Sequence, residues 1–216
     1  MNESPALMGV YSAGWFRQFV FDASFVPLVK ASRAAGERVF RRGLEGAIEE
    51  ALFHPAGHDR RRLIAFSEHE LNTVSSALNP EIAARVASNF LNARAFAAAW
   101  ISRDRPDLRK AIGPSTLEDD AALCGFEWPD QYNLKPTDVI KRLRSSVAVL
   151  RRTKRPPAPR TTELWTRLLG YNRQDCLATK HVVCHAALPA RCPGCSRPGA
   201  TRRGSGSRGN PPGPAP

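Results

Sequence analysis

The sequence predicts an α/β layer fold, a small mixed sheet covered by helices, on three observations. The chain opens on two strand-like runs, "ALMGVY" (6–11) and "WFRQFVF" (15–21), joined by a short turn with a glycine. A buried apolar run, "LIAF" (63–66), leads straight into a helix-forming segment. From Asn79 onward helical segments follow one another with little strand signal between them.

Taken in order, the first two runs read as a β-hairpin, since β-branched and aromatic residues flank a tight turn. Residues 28–53 read as mostly helical, weakened by Gly36, Gly43 and Gly46. "HPAGHDRRR" (54–62) is a polar loop and "LIAF" a strand. Ser67 and Glu70 form a capping box at the start of the next helix. Asn79-Pro80 is a cap and first-turn pair for one long helix, "EIAARVASNFLNARAFAAAWIS". "SRDRPDLRKAIGP" connects it to a short helix capped by Ser115 and Glu118 and stopped at Gly125. After the loop "FEWPDQYNLKP" comes a basic helix, "TDVIKRLRSSVAVLRRTKR", broken by "PPAPR". A closing helix covers about 162–185, with Gly170 as its weak point. These elements make one domain, 1–185, followed by an Arg/Gly/Pro-rich tail, 186–216, too poor in apolar residues to fold and therefore expected to be disordered.

The formal charge is +12, from 32 Lys+Arg against 20 Asp+Glu, which favours polyanionic partners. The densest basic segment is the helix and its exit: Lys141, Arg142, Arg144, Arg151, Arg152, Lys154 and Arg155 are candidate phosphate contacts, or else a solvated face. Five cysteines, an odd count, with no signal peptide predict a reducing, cytoplasmic setting. No apolar run approaches the roughly 18 residues of a membrane helix. Cys192-Pro-Gly-Cys195 has a zinc-compatible turn, but only Cys184 and His185 are near enough in sequence to complete four ligands. Neither a phosphate-cradling glycine loop nor a nucleophile elbow is present, which removes support for ATPase, dehydrogenase and serine hydrolase readings.

In "LLGYNRQDCLATKHVV" (168–183), Tyr171 and Asp175 stand four residues apart and share one helix face. A carboxylate suits Mg²⁺ or Mn²⁺, and a phenol beside it can hold a water. The spacing also suits an ordinary solvated helix face.

The stretch "YNRQDCLAT", after "ELWTRLLG", resembles the third motif of the DEDDy class of 3′–5′ exonucleases in the RNase H-like superfamily, most nearly the YprB-type ribonuclease-H-like group. "LIAFSEHELNTV" resembles the second motif, with Glu70 at its acid. "LMGVYSAGWFRQFVF" and "STLEDDAALCGFEWP" resemble further parts of that fold, so the likeness runs from about residue 6 to 185. It implies Asp175 and Glu70 as metal ligands, Tyr171 as the residue that positions the attacking water, and two Mg²⁺ or Mn²⁺ ions hydrolysing a phosphodiester of DNA or RNA. Glu70 serves a helix cap equally well. The family's first motif, a strand bearing D-x-E, is missing ahead of "LMGVY", where "MNESPA" offers only Glu3. The expectation is therefore an N-terminally truncated or degenerate domain with an incomplete metal site. Asp22 is read as ending its strand in a turn, and Asp119 and Asp120 as first-turn helix acids. The alternative function is a non-catalytic nucleic-acid-binding module on the same fold.

Overall fold

A computed structural model describes residues 5–12, 15–52, 62–109, 116–132 and 135–187. The hairpin forms as expected: β1 (Leu7–Ser12) runs antiparallel to β2 (Trp15–Val20), with Leu7 opposite Val20 and Ser12 opposite Trp15. Alternation places Gly9 and Gln18 on one face and Met8, Arg17 and Phe19 on the other. Asp22 ends β2 in a turn, accepting a hydrogen bond from the Ser24 amide at 2.8 Å.

The stretch expected to be mostly helical is instead helix, strand, helix: α1 (Val26–Ala34), β3 (Val39–Arg41) and α2 (Leu44–Leu52). Gly36, at φ +84°, turns the chain after α1 through a conformation other residues resist. Val39 and Phe40 then pair parallel with Gln18 and Phe19. Three residues carry little helical information of their own, and pairing with β2 decides their state.

A similar correction applies to the long helix expected after Asn79. Asn79 does cap it, accepting from the Ile82 amide at 3.0 Å. However, α4 (Pro80–Asn89) gives way to a strand, β5 (Phe90–Asn92), before α5 (Ala93–Asp104) begins under an Asn92 cap. β5 lies parallel to β4 (Leu63–Ala65), with Ile64 opposite Leu91. Pairing with β4 outweighs helical continuity here.

The described strands thus form two sheets, β1-β2-β3 and β4-β5, rather than one. Their outer strands share a core: Met8 of β1 and Leu63 of β4 both pack on Ile48, Leu52, Ile82 and Val86. Between β4 and α4 lies α3 (Glu68–Ser75), entered through the predicted Ser67–Glu70 capping box. After α5 come α6 (Pro106–Arg109), α7 (Leu117–Leu123) and α8 (Pro136–Thr153).

The last helix, α9 (Pro159–Ala187), organises the molecule. Its first half buries Trp165, Leu168 and Leu169 against Phe25, Leu28, Leu143 and Val147. Its second half packs Ala178, Val182 and Ala186 on Ala97, Trp100 and Ala121, and the alanines among them let α5, α7 and α9 approach closely. Gly170 does not interrupt the helix. The Tyr132 ring lies where its side chain would be, so glycine makes room for a packing contact. Among the described residues no helix is long and apolar enough to cross a membrane. α9 runs through buried Ala186 to Ala187, two residues into the tail expected from 186; the remainder, 188–216 with Cys192 and Cys195, lies outside the described residues, as do Glu3 and most of the 54–62 loop.

Candidate functional site

The site is built where α9 crosses β1. Gly9 allows the crossing: a Cβ there would stand 2.7 Å from Asn172 Nδ2 and 2.8 Å from Cys176 Sγ. Asn172 Nδ2 donates to Gln18 Oε1 at 2.9 Å, and Gln18 is only 7% exposed. This buried amide pair fixes the rotation and register of α9 on the sheet. It therefore fixes where the flanking residues Tyr171 and Asp175 project.

Both are half-buried, and they face the same space. The Tyr171 hydroxyl is within hydrogen-bonding reach of Asp175 and also of Glu118 at the start of α7. The Trp128 ring packs on Tyr171, centroids 6.0 Å apart at 57°.

Glu118 was not among the residues the sequence singled out for chemistry. Its spacing from Ser115 predicts a capping role. In the structure the cap lies one residue later: the Thr116 side chain accepts from the Asp119 amide, and Asp119 accepts from the Thr116 amide at 2.9 Å. "STLED" contains two overlapping boxes, Ser-x-x-Glu and Thr-x-x-Asp, of equal local merit. Because the second forms, Glu118 is released from the helix end and turned toward Tyr171. The helix stops at Gly125, φ +81°, as expected.

Two acids from other helices, Glu118 and Glu70, therefore act on Asp175. Burial, then the charge of Glu118 and a smaller contribution from Glu70, push the Asp175 carboxyl up to about 7, although the Tyr171 hydroxyl favours its ionised form. The same burial and the charges of Asp175 and Glu118 hold the Tyr171 phenol well above its usual range, so it is a neutral hydrogen-bond donor. Next to them, burial and Asp175 push the Cys176 thiol up to about 12, leaving it protonated and unreactive.

Glu70 holds two positions at once. Its carboxylate accepts from the Ser67 amide at 2.9 Å, completing the cap, and it is close enough to Asp175 to disfavour ionisation there. His69 is exposed in the same helix start. Asp119 is occupied in its cap, and Asp120 is buried at 1% exposure. Among the described residues, no three His, Cys, Asp or Glu side chains stand close enough to hold one ion together.

The basic segment divides into two classes. Arg144 Nε donates to Asp22 Oδ2 at 2.7 Å, and Arg151 donates to the Ala23 carbonyl, so these two tie α8 to the turn after β2. Lys141, Arg142, Arg152, Lys154 and Arg155 are exposed. Lys154 closes α8 in the left-handed conformation, φ 54°. Of the residues considered for zinc, Cys184 is exposed, and the His185 ring meets Trp100 edge-on at 4.7 Å.

Comparison with protein-family models, curated proteins and solved structures finds no match to this chain.

Proposed function

We propose that this chain is an RNase H-like domain of the DEDDy exonuclease type, directed at phosphodiester hydrolysis in DNA or RNA. One observation carries the reading. Half-buried Asp175 and Tyr171 stand within electrostatic reach of exposed Glu118, and Asp175 also of exposed Glu70, and no cation among the described residues offsets the acids' repulsion of Asp175. Uncompensated acids cost stability, and such arrangements concentrate at functional sites.

The donor set suits a single hard cation. Mg²⁺ is commonly held by one or two carboxylates, with water and substrate phosphate filling the remaining positions. Asp175 and Glu118 would be the ligands, with Glu70 a further acid close enough to act on Asp175. When bound, the ion supplies an activated water and neutralises charge at the scissile phosphate. Tyr171, kept neutral by its neighbours, orients that water as a donor and takes up no proton itself. Trp128 and the Asn172–Gln18 pair keep the phenol and carboxylate in place.

The second reading, a nucleic-acid-binding module that cuts nothing, is favoured by a different observation. No three acids among the described residues are close enough to hold an ion jointly, so a two-ion site is incomplete. The test is cleavage of 5′-labelled single-stranded DNA and RNA with Mn²⁺, beside EDTA and Asp175→Asn controls. Metal-dependent shortening lost in Asp175→Asn establishes the nuclease. Intact substrate with salt-sensitive binding supports the module.

A further inference from the structure

An open cavity of about 560 Å³ lies between α1, the end of β3 and the first turn of α2. That volume falls within the roughly 300–1,000 Å³ of ordinary ligand pockets. Its wall carries four cations and no acid: Lys30 and Arg33 on one face of α1, Arg41 at the end of β3, and Arg42 in the loop that follows. Arg42 is anchored to Glu50 at 2.9 Å. Lys30, Arg33 and Arg41 have no ion-pair partner among the described residues.

We infer that this cavity is a binding site for phosphate oxyanions, carried by a nucleic-acid strand or by a free nucleotide or phosphate. The inference goes beyond the nuclease reading and stands whether or not the chain cleaves anything.

The three unpaired cations around the cavity, Lys30, Arg33 and Arg41, repel one another, and an anion placed among them relieves that repulsion. An arginine on β3 also discourages pairing at an exposed sheet edge, which accounts for Arg41. It does not account for Lys30 and Arg33, which face the cavity from a helix on its other wall. The Arg33 guanidinium lies 5.8 Å from the Phe40 ring centroid, which holds it over the cavity floor.

The approach to α2 is also clear. A Cβ on Gly43 or on Gly46 would meet nothing within 4 Å, so the start of the helix, whose first amides lack intrahelical partners, is open to an anion. Glu45, the one acid of that turn, is engaged elsewhere, accepting from the amide and the side chain of Asn79 at 3.0 Å each. These cations are distinct from the basic segment of α8. In the sequence they are dispersed over three separate elements and form no basic run.

The test uses the full-length protein in EDTA, so that binding is read without cleavage. Two probes are applied: fluorescein-labelled oligothymidylate by anisotropy across a salt series, and pyrophosphate by thermal shift. They are compared in wild type, in the double variant Lys30→Gln/Arg33→Gln, and in Gly43→Asp, which puts a carboxylate into open space. The expected result is oligonucleotide binding about tenfold weaker in the double variant. Its log–log salt slope should be shallower by about 0.7 per cation removed, the value for single strands. Pyrophosphate should raise the melting temperature of wild type and of neither variant. Loss of the pyrophosphate shift with oligonucleotide binding unchanged would also support the site and assign it to free phosphate compounds. Unchanged oligonucleotide affinity and salt slope, together with an unchanged pyrophosphate shift in both variants, overturn the inference.

Discussion

Glu118, in the first turn of α7, faces the same Tyr171 hydroxyl on α9 that Asp175 faces. This places a second acid against the candidate catalytic pair. Removing the charge of Glu118 while keeping its shape should make Asp175 easier to ionise. In Glu118→Gln, the Asp175 midpoint followed by carbon-13 NMR should therefore fall below its position near 7. An unchanged midpoint would show that Glu118 is not coupled to the pair.

Asp175 should also impose a pH dependence on stability. A free aspartate titrates near 3.8, whereas the folded protein holds this proton until about 7. Between those values the folded state binds a proton that the unfolded state has lost, so stability falls as pH rises from about 4 to about 7 and levels off above. The full difference is at most about 4 kcal/mol, reduced by water at the open side of the site. Urea midpoints at pH 5 and pH 8 should differ more in wild type than in Asp175→Asn, measured in EDTA. Equal pH dependence in the two proteins would contradict the raised carboxyl.

Features with local causes were legible in the sequence. Asn79, Ser67 and Gly125 act within a turn of their own helix, and each does what its position predicts. The hairpin follows from adjacent runs around a tight turn. The strands β3 and β5 were not legible. Each is three residues long, and each is held by a strand distant in sequence, β2 for one and β4 for the other. Glu118 was hidden by a tie between two overlapping capping boxes that only tertiary packing breaks. Tyr171 and Asp175 were legible because they and the motif-like stretch around them lie within a single helix. The tightness of their seat was not visible, because it depends on Gly9 in a distant strand.

That seat gives a prediction about packing. In Gly9→Ala the new methyl would overlap Asn172 and Cys176 and press on Phe16, whose ring edge is 3.2 Å from the same point. Overpacking of this kind costs about 1–3 kcal/mol. Gly46→Ala is the matched control. Its methyl meets nothing within 4 Å, and it sits within α2, so it should gain roughly 0.4–1 kcal/mol from reduced freedom in the unfolded chain. Urea unfolding of the two variants should give opposite signs. A neutral Gly9→Ala would mean that α9 is not held against β1 as closely as described.

The two classes of arginine on α8 should separate by what their loss affects. Arg144 is bonded to Asp22, whose carboxyl lies below its usual value: burial alone would raise it, but hydrogen bonds from Ser24 and Arg144 and the arginine's charge outweigh that. Arg144→Gln should thus cost about 1 kcal/mol of stability, typical of a partly exposed pair. Because a lowered carboxyl stabilises only while ionised, that contribution is present above pH 4 and disappears as pH falls below it. Arg152, exposed at the last turn of α8, has no such bond among the described residues. Arg152→Gln should leave the urea midpoint in place. If the basic face contacts a nucleic-acid backbone, it should instead make the salt slope of oligonucleotide binding shallower by about 0.7. Stability lost in Arg152→Gln, or unchanged in Arg144→Gln, would reverse the assignment of these two residues.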